Sequence, residues 1–307
     1  MNSKGFSPWL LAALSAPLAQ AASGHSWPTV LITGGVCLGI SYLLQTNDSA
    51  EYAPCRWSCA IQWLWLAVVL SQLAHLPMAC WPDYQSYIVV PLTLLVLAAW
   101  TAGKGRQEAA RAGNTLLWIL LIIFGTVSLA AVKEIRIENL APQLSIPRGL
   151  LIVVFLIPCV MIFLPQERAS VINLITVGGF AMLVSLLAVG VLSLPVAKET
   201  ASPYYEMSRS LSLLGIAERF ESLVAATMTL GYFALFALLA AVEGELTERI
   251  KPDWRRNGIW GGIAIAGAVF VSRIRVEESV LSVGCILIWV LLPLCEILCR
   301  KIKKLKR

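Results

Sequence analysis

Apolar segments recur along almost the whole chain, from its first residues to Cys299, and short polar stretches separate them. A helix that crosses a membrane needs about 20 mostly apolar residues, and in lipid its backbone must satisfy its own hydrogen bonds. The pattern therefore predicts an all-α, polytopic membrane protein with about ten transmembrane helices. The predicted spans are 7–22, 27–45, 60–80, 84–102, 114–132, 149–165, 171–194, 220–242, 257–272 and 279–299.

The composition agrees with a single membrane domain over residues 1–307. Hydrophobic residues make up 58% of the 307 positions and charged residues only 14%, which is outside the range of soluble domains. The net charge of +6 does not indicate nucleic-acid binding, because six of the 24 basic residues lie in the tail 300–307. Such a tail is typical of a cytoplasmic membrane face. We expect lipid, and no nucleic acid, as a partner.

The eight cysteines lie mostly inside apolar segments and lack the paired spacing of a disulfide framework. Cys55 and Cys59 are four residues apart, but no histidine or second cysteine pair accompanies them. The sequence also lacks a catalytic triad order, a zinc-protease motif and a nucleotide-binding glycine pattern. We predict no metal, no cofactor and no enzymatic activity.

The distribution of basic residues predicts the orientation. An even number of spans places both termini on one side, and a cytoplasmic assignment puts 16 basic residues inside and eight outside. This bias follows the positive-inside rule and predicts that both termini are cytoplasmic.

The first span has a second interpretation. Lys4, the apolar run and the small residues Ala19 to Ala21 also resemble a signal peptide with a cleavage site, whose removal would leave nine spans. Pro17, the interfacial Trp9 and the short turn before the second apolar run favour retention of residues 1–22.

Ten spans divide into two halves of five, at about 7–132 and 149–299, as in inverted-repeat transporters. Each half begins with a span that contains a proline, Pro17 in the first and Pro158 in the sixth. Proline removes a backbone donor and frees a carbonyl in the preceding turn, and the N-terminus of a half-helix favours an anion. Paired breaks of this kind predict a small-molecule site between the two halves.

Charged residues are nearly absent from the middle of the predicted spans. The acids nearest to membrane depth are Glu221, Glu243 and Glu296, and each falls close to a predicted span end, where interfacial water would solvate it. This pattern argues against a strongly proton-driven pump. The outer stretch 203–223 combines aromatic, charged and helically spaced apolar residues, and it predicts an interfacial or re-entrant helix.

Several stretches resemble one known family, the spore germination permeases, which are the B subunits of nutrient germinant receptors. The family belongs to the amino acid/polyamine/organocation transporter superfamily. The resembling stretches are Ser7-Pro8-Trp9, the break at Ser15-Ala16-Pro17, the polar turn 163–169, and the outer loop and eighth span with Pro203, Glu206, Arg209, Glu218, Arg219 and Glu221.

The resemblance implies a fold of ten helices in a five-plus-five inverted repeat and a place in the spore inner membrane. It also implies recognition of a small germinant such as an amino acid, and A and C subunits as partners. Carried over by position, the ligand lies between the first, third, sixth and eighth spans. The ligand-binding residues implied are Ser15, Ala16, Pro17, Gln72, Pro158, Cys159 and Thr227. The residues implied for a gate or a subunit contact are Glu206, Arg209, Glu218, Arg219 and Glu221.

Three hypotheses for function follow. In the first, ligand binding to a two-state bundle is passed to partner subunits that start germination. In the second, the chain is a secondary amino acid transporter that works by alternating access. In the third, it is a membrane scaffold without a ligand.

Overall fold

The computed structural model describes residues 7–47, 54–81, 88–164, 170–211 and 220–305. These residues form helices joined by turns and loops, and they contain no strand. The prediction of an all-α, polytopic membrane protein is confirmed. The helices are α1 Pro8–Ser23, α2 Trp27–Asn47, α3 Arg56–Leu73, α4 Val89–Lys104, α5 Arg106–Val132, α6 Gly149–Val160, α7 Val171–Leu192, α8 Leu194–Glu199, α9 Pro203–Ser210, α10 Phe220–Ile250, α11 Arg255–Val271, α12 Glu278–Cys285 and α13 Leu292–Leu305.

Six helical segments of the described chain are long and apolar enough to cross a membrane. They are Trp27–Thr46, Arg56–Cys80, Arg106–Val132, Val171–Leu192, Glu221–Ile250 and Glu278–Arg300. The last combines α12, a π-helical stretch at Ile286–Leu291 and the start of α13. Helices α1, α4, α6 and α11 occupy the other four predicted spans but have only 12 to 17 residues each. The ten-span count and the five-plus-five repeat stay predictions.

The helix ends follow local sequence. Pro8 occupies the first turn of α1, where its missing N–H group is not needed, and Gly24 follows the last residue. The side chain of Ser170 accepts a hydrogen bond from the Asn173 amide at 3.3 Å and so caps α7. The amide oxygen of Asn173 in turn accepts a bond from the Ser7 amide at 3.1 Å, which ties the start of α1 to the start of α7.

Helix α10 extends to Ile250, beyond the predicted end at residue 242. The sequence prediction ended the span just before Glu243, because acidic residues usually mark the edge of the membrane. In the structure Glu243 is 0% exposed, so its predicted solvation by interfacial water is wrong. The neighbouring Glu245 pairs with Arg255 of α11 at 2.7 Å, which allows the helix to continue.

Helix α1 lies at the centre of the bundle. Fourteen of its 16 residues are buried, and it packs against α5, α6, α7, α9 and α10. A helix that is apolar on all sides is expected in such a position. Helix α10 also lies inside, against α1, α3, α4, α5, α9 and α11. Removing residues 1–22 would open the space between α7 and α10, and retention of the segment stays a prediction.

The helix faces on the outside of the bundle are apolar, as contact with lipid requires. Trp118, Ile122 and Leu129 of α5 are between 68% and 75% exposed, although they are large and hydrophobic. In a bilayer these side chains contact acyl chains, so helix association depends on close packing and on interhelical hydrogen bonds instead of on exclusion of water.

Replacement of Gly149 by alanine should destabilise the fold. A Cβ atom at Gly149 would overlap the backbone carbonyl of Glu278, so α6 and α12 would have to separate. Overpacking of this kind costs about 1–3 kcal/mol. Gly125→Ala is the matched control, because a Cβ there has nothing within 4 Å. Thermal unfolding of the purified protein should show a lower midpoint for Gly149→Ala only. An equal effect of both changes would contradict the α6–α12 contact.

Candidate functional site

The contact between α1 and α10 brings predicted site residues together. A Cβ atom placed on Gly231 of α10 would lie 2.6 Å from Cβ of Ala16 and 3.2 Å from Oγ of Ser15, so only glycine permits this approach. Thr227 precedes Gly231 by one helical turn and therefore shares its face of α10. Ser15, Ala16 and Thr227 are all buried. Small residues on both helices thus let two backbones approach closely at the centre of the bundle.

Both hydroxyl groups at this contact are engaged within their own helices. Ser15 Oγ donates to the carbonyl of Ala12 at 2.8 Å, and Thr227 Oγ1 donates to the carbonyl of Leu223 at 2.7 Å. A hydroxyl group can rotate away from such a bond and donate to a ligand instead. Both oxygens retain the capacity to accept another hydrogen bond.

Helix α1 is not broken at Pro17, contrary to the sequence prediction. It stays helical to Ser23. Pro17 is enclosed by the surrounding helices, and membrane helices tolerate proline when neighbours supply packing. Because Pro17 has no N–H group, the carbonyl of Ala13 still lacks its usual intrahelical donor.

The second proline does coincide with a change of helix type. Helix α6 ends at Val160, two residues after Pro158, and a 3₁₀ turn follows at Met161–Phe163. Gln45 Nε2 of α2 donates to the carbonyl of Pro158 at 3.0 Å, and Ser41 Oγ lies 3.0 Å from Sγ of Cys159. The second predicted break therefore lies against a polar face of α2.

Ser41 and Gln45 were missed by the sequence analysis. The signal was present, because two polar residues four positions apart in an apolar helix lie on one face. In a span they are expected to meet a polar partner on another helix.

Gln72 is held away from the α1–α10 contact by its own hydrogen bonds. Its Nε2 atom donates to the carbonyl of Ile274 at 3.1 Å, and its Oε1 atom accepts from the amide of Val276 at 3.1 Å. The side chain therefore fastens the end of α3 to the loop between α11 and α12. Its predicted role as a ligand donor would require these bonds to open.

A hydrogen-bonded pair lies next to Gly231. The hydroxyl of Tyr232 donates to Oε1 of Gln20, and Gln20 Nε2 donates to the carbonyl of Ala201 at 3.2 Å. Trp81 Nε1 donates to Oγ1 of Thr229, which belongs to α10 like Tyr232, at 3.0 Å. These contacts attach the segments around Trp81 and Ala201 to α1 and α10, next to the α1–α10 contact. Gln20 was interpreted from sequence only as part of a possible cleavage site.

Three of the five predicted gate residues meet. Arg209 of α9 donates to Glu206 at 3.3 Å and to Glu221 of α10 at 3.0 Å. Glu206, followed by Glu221, raises the pKa of the Arg209 guanidinium, which therefore stays charged. The cluster links the short outer helix to the start of α10. Glu218 and Arg219 lie outside the described residues.

A small cavity of about 50 Å³ borders Ser15 and is lined by α1, α5 and α7. Leu117 and Phe124 of α5 and Phe180 of α7 make its wall apolar. It is too small for an amino acid. A larger apolar groove between α2 and α7 opens toward the lipid-facing surface. Within the described residues, no three His, Cys, Asp or Glu side chains could hold a metal ion together.

The turn between α1 and α2 is fastened to the second half of the chain through His25. His25 Nε2 accepts a hydrogen bond from the Arg148 amide at 2.9 Å, while Nδ1 lies 2.9 Å from the carbonyl of Ala21. This arrangement requires a neutral ring with its proton on Nδ1. Ser185 Oγ of α7 also donates to the His25 carbonyl at 2.7 Å. Burial, and then the charges of Arg148 and Lys198, lower the pKa of His25.

The comparison with family models decides the relationship. Residues 60–245, which are 186 of the 307 positions, match the model described as spore germination protein. The chain belongs to this family. The match begins in α3 and ends in α10, so it includes Gly231, Thr227 and the Arg209 cluster, whereas α1 precedes it. A search of curated proteins found no match.

Membership of the spore germination protein family confirms the suspected resemblance. The family consists of permease- or receptor-type membrane proteins and is associated with germinant receptor complexes. The specific nutrient and the specific partner subunits remain proposals.

Acidification should loosen the contact of the α1–α2 turn with the start of α6 through His25. A protonated ring would turn Nε2 into a donor that faces the Arg148 amide, which is also a donor. Because the pKa of His25 is lowered in the fold, the unfolded chain binds more protons below the ordinary histidine pKa of 6.5, and stability falls there by up to about 1.4 kcal/mol per pH unit.

Thermal unfolding of the purified protein between about pH 7.5 and 5.5 checks this dependence. The midpoint temperature of unfolding should fall less for the His25→Gln variant than for the wild type over this range. An identical loss in both proteins would show that other groups cause the acid sensitivity.

Proposed function

We propose that this protein is the membrane-embedded subunit of a germinant receptor that binds a small nutrient, such as an amino acid, and starts germination through partner A and C subunits. The observation that supports this function best is the contact of α1 with α10 at Ser15, Ala16 and Gly231. The two helices of this contact pack closely at the centre of the bundle, and α1 contains a proline. The chain belongs to a spore germination family.

The chemistry of this contact suits an amino acid. The Ala13 carbonyl, without its intrahelical donor at Pro17, is an acceptor for an ammonium group. The N-terminal end of a half-helix that starts beyond Pro17 would favour a carboxylate. Thr227 adds a hydroxyl on the opposite wall. Backbone groups thus carry most of the recognition, with Pro158 and Cys159 at the corresponding position of the second half.

Binding requires the bundle to exist in two states. The closed state has a continuous α1 and a cavity of only about 50 Å³ next to Ser15. The nutrient-bound state would separate α1 from α10 and open the helix at Pro17. A ligand shifts such an equilibrium by its difference in affinity for the two states. The ion pair between Arg209 and Glu221 links α9 to α10, so movement of α10 would reach the outer surface.

In this proposal both termini are cytoplasmic and the protein lies in the spore inner membrane; the excess of basic residues in the loops assigned to the cytoplasm supports the orientation. Arg106, Glu245 and Arg255 form one ion-pair cluster at the end assigned to the cytoplasm. His25, Arg148 and Lys198 meet at the opposite end. The five-plus-five arrangement would place the repeat axis between α1 and α6.

Spores with and without the gene test this function when they are exposed to a panel of amino acids and sugars. Loss of response to one nutrient, measured as retained refractility, would support the receptor. The rival function is a secondary amino acid transporter, and uptake by the purified protein alone in liposomes would favour it. Unchanged germination toward the whole panel would contradict the receptor.

Pro158→Ala should weaken the nutrient response more than Pro195→Ala. Alanine restores a backbone donor at the break of α6, whereas Pro195 lies in the short outer helix α8. Loss of about 1.4 kcal/mol of binding free energy would raise the half-maximal nutrient concentration about tenfold. Germination curves at matched expression measure this. Equal shifts for the two variants would remove the α6 break from the binding site.

A further inference from the structure

Glu243 is a carboxyl group deep inside the protein. It belongs to α10, within the spanning segment Glu221–Ile250, and it is 0% exposed. Neither of its two carboxyl oxygens has a hydrogen-bond partner among the described residues. An acidic side chain in this position is rare in membrane helices and usually marks a functional site.

Helix α11 makes room for this side chain. A Cβ atom on Gly262 would overlap the Glu243 carboxyl group, so an alanine there would push this group out of its present position. One turn further along α10, Thr247 packs in the same way against Gly258, where a Cβ would also overlap. Gly258 and Gly262 are four residues apart and form one face of α11. The pocket for the carboxyl group is therefore built by the α10–α11 contact itself.

The hydroxyl of Thr247 does not hydrogen-bond to the Glu243 carboxyl group. Thr247 Oγ1 donates to the backbone carbonyl of Glu243 at 2.8 Å, and the side-chain carboxyl receives no bond from it. Glu245, two residues along, differs completely. It pairs with Arg255 at 2.7 Å and with Arg106 at 3.7 Å.

Other ionisable groups gather at the same end of α10 without reaching the Glu243 carboxyl oxygens. The elements packed against this end contribute Arg56 and Cys59 of α3, Lys104 of α4, Arg106 of α5, and Arg255 and Arg256 of α11, and α10 itself adds Glu245, Glu248 and Arg249.

A carboxylate ion in this pocket would be unpaired and out of contact with water. Burial of such an ion costs several kcal/mol, whereas the neutral acid loses only its hydrogen bonds to water. The group therefore carries a proton in the closed state. If α10 and α11 separate, water reaches the pocket and the acid ionises. Proton affinity then differs between the two packings, which is the condition for linkage.

We propose that Glu243 is a proton-binding site whose occupancy depends on the packing of α10 against α11. The proton would enter from the end of α10 at which Glu245 lies. Glu245 is two residues from Glu243, or about 3 Å along the helix axis. Coupling of this proton to nutrient binding rests on the two-state bundle proposed above, because α10 also carries Gly231 and Thr227. The proton site itself does not depend on that function.

Infrared spectroscopy of the purified full-length protein at pH 7 tests the site without a nutrient. The C=O stretching band of a protonated carboxylic acid is separate from the bands of carboxylates, and exposed glutamates are ionised at this pH. Carbon-13 labelling of glutamate assigns the band to this residue type. Wild-type protein should show the band, Glu243→Gln should lose it, and Glu245→Gln should keep it. Absence of the band from the wild type, or its persistence in Glu243→Gln, would overturn the proposal.

Gly262→Ala tests the dependence on helix packing. Its Cβ atom would displace the carboxyl group and admit water, so the band should be lost although Glu243 is still present. Gly261→Ala is the control, because a Cβ there makes only an ordinary 3.4 Å contact with Trp63. Retention of the band in Gly262→Ala would overturn the link between packing and proton occupancy. None of these results depends on germination, so failure of the proton site and failure of the receptor function are distinguishable.

Discussion

The close packing of α1 against α10 is the contact on which the rest of the bundle depends. Both helices are buried, and together they contact α3, α4, α5, α6, α7, α9 and α11. Their approach is possible because Ala16 faces Gly231, and a single added methyl group would push them apart. In a bilayer, where lipid is as apolar as the side chains, small residues and interhelical hydrogen bonds must hold helices together.

Polar contacts fasten the ends and breaks of this bundle. His25 holds the α1–α2 turn to the start of α6, and Gln45 covers the carbonyl of Pro158. At the opposite end, Glu245 joins α5, α10 and α11 through two arginines. Each contact satisfies groups that would be costly to leave unpaired away from water. Glu243 is the exception next to this last cluster, because none of the described residues forms a hydrogen bond with its carboxyl group, and this is the reason to assign it a proton.

The long apolar runs predicted the helical, membrane-spanning class, because an apolar run of sufficient length has few alternatives to a membrane helix. The resembling motifs predicted the family, and the matching family model confirms it. Residues 203–210, part of the predicted outer helix, form α9. Arg209 and its two glutamates meet there, although their role as a gate stays a prediction.

The errors have a common physical origin, since sequence patterns do not show which helices pack together. Glu243 was expected at the interface because its neighbours are charged, but its position relative to water depends on α11. Gln72 bonds to a loop about 200 residues later in the chain, which the sequence does not show, and its contact with a ligand stays a prediction. The continuity of α1 through Pro17 likewise depends on the helices that enclose it.

Hydrogen–deuterium exchange of the purified protein, with and without a nutrient that triggers germination, tests most directly whether α1 and α10 form the binding site. The amides of α1 and of the adjoining half of α10 should change their exchange on nutrient addition, while lipid-facing peptides of α5 should not. Changes confined to other helices, or no change at a concentration that triggers germination, would contradict a binding site between α1 and α10.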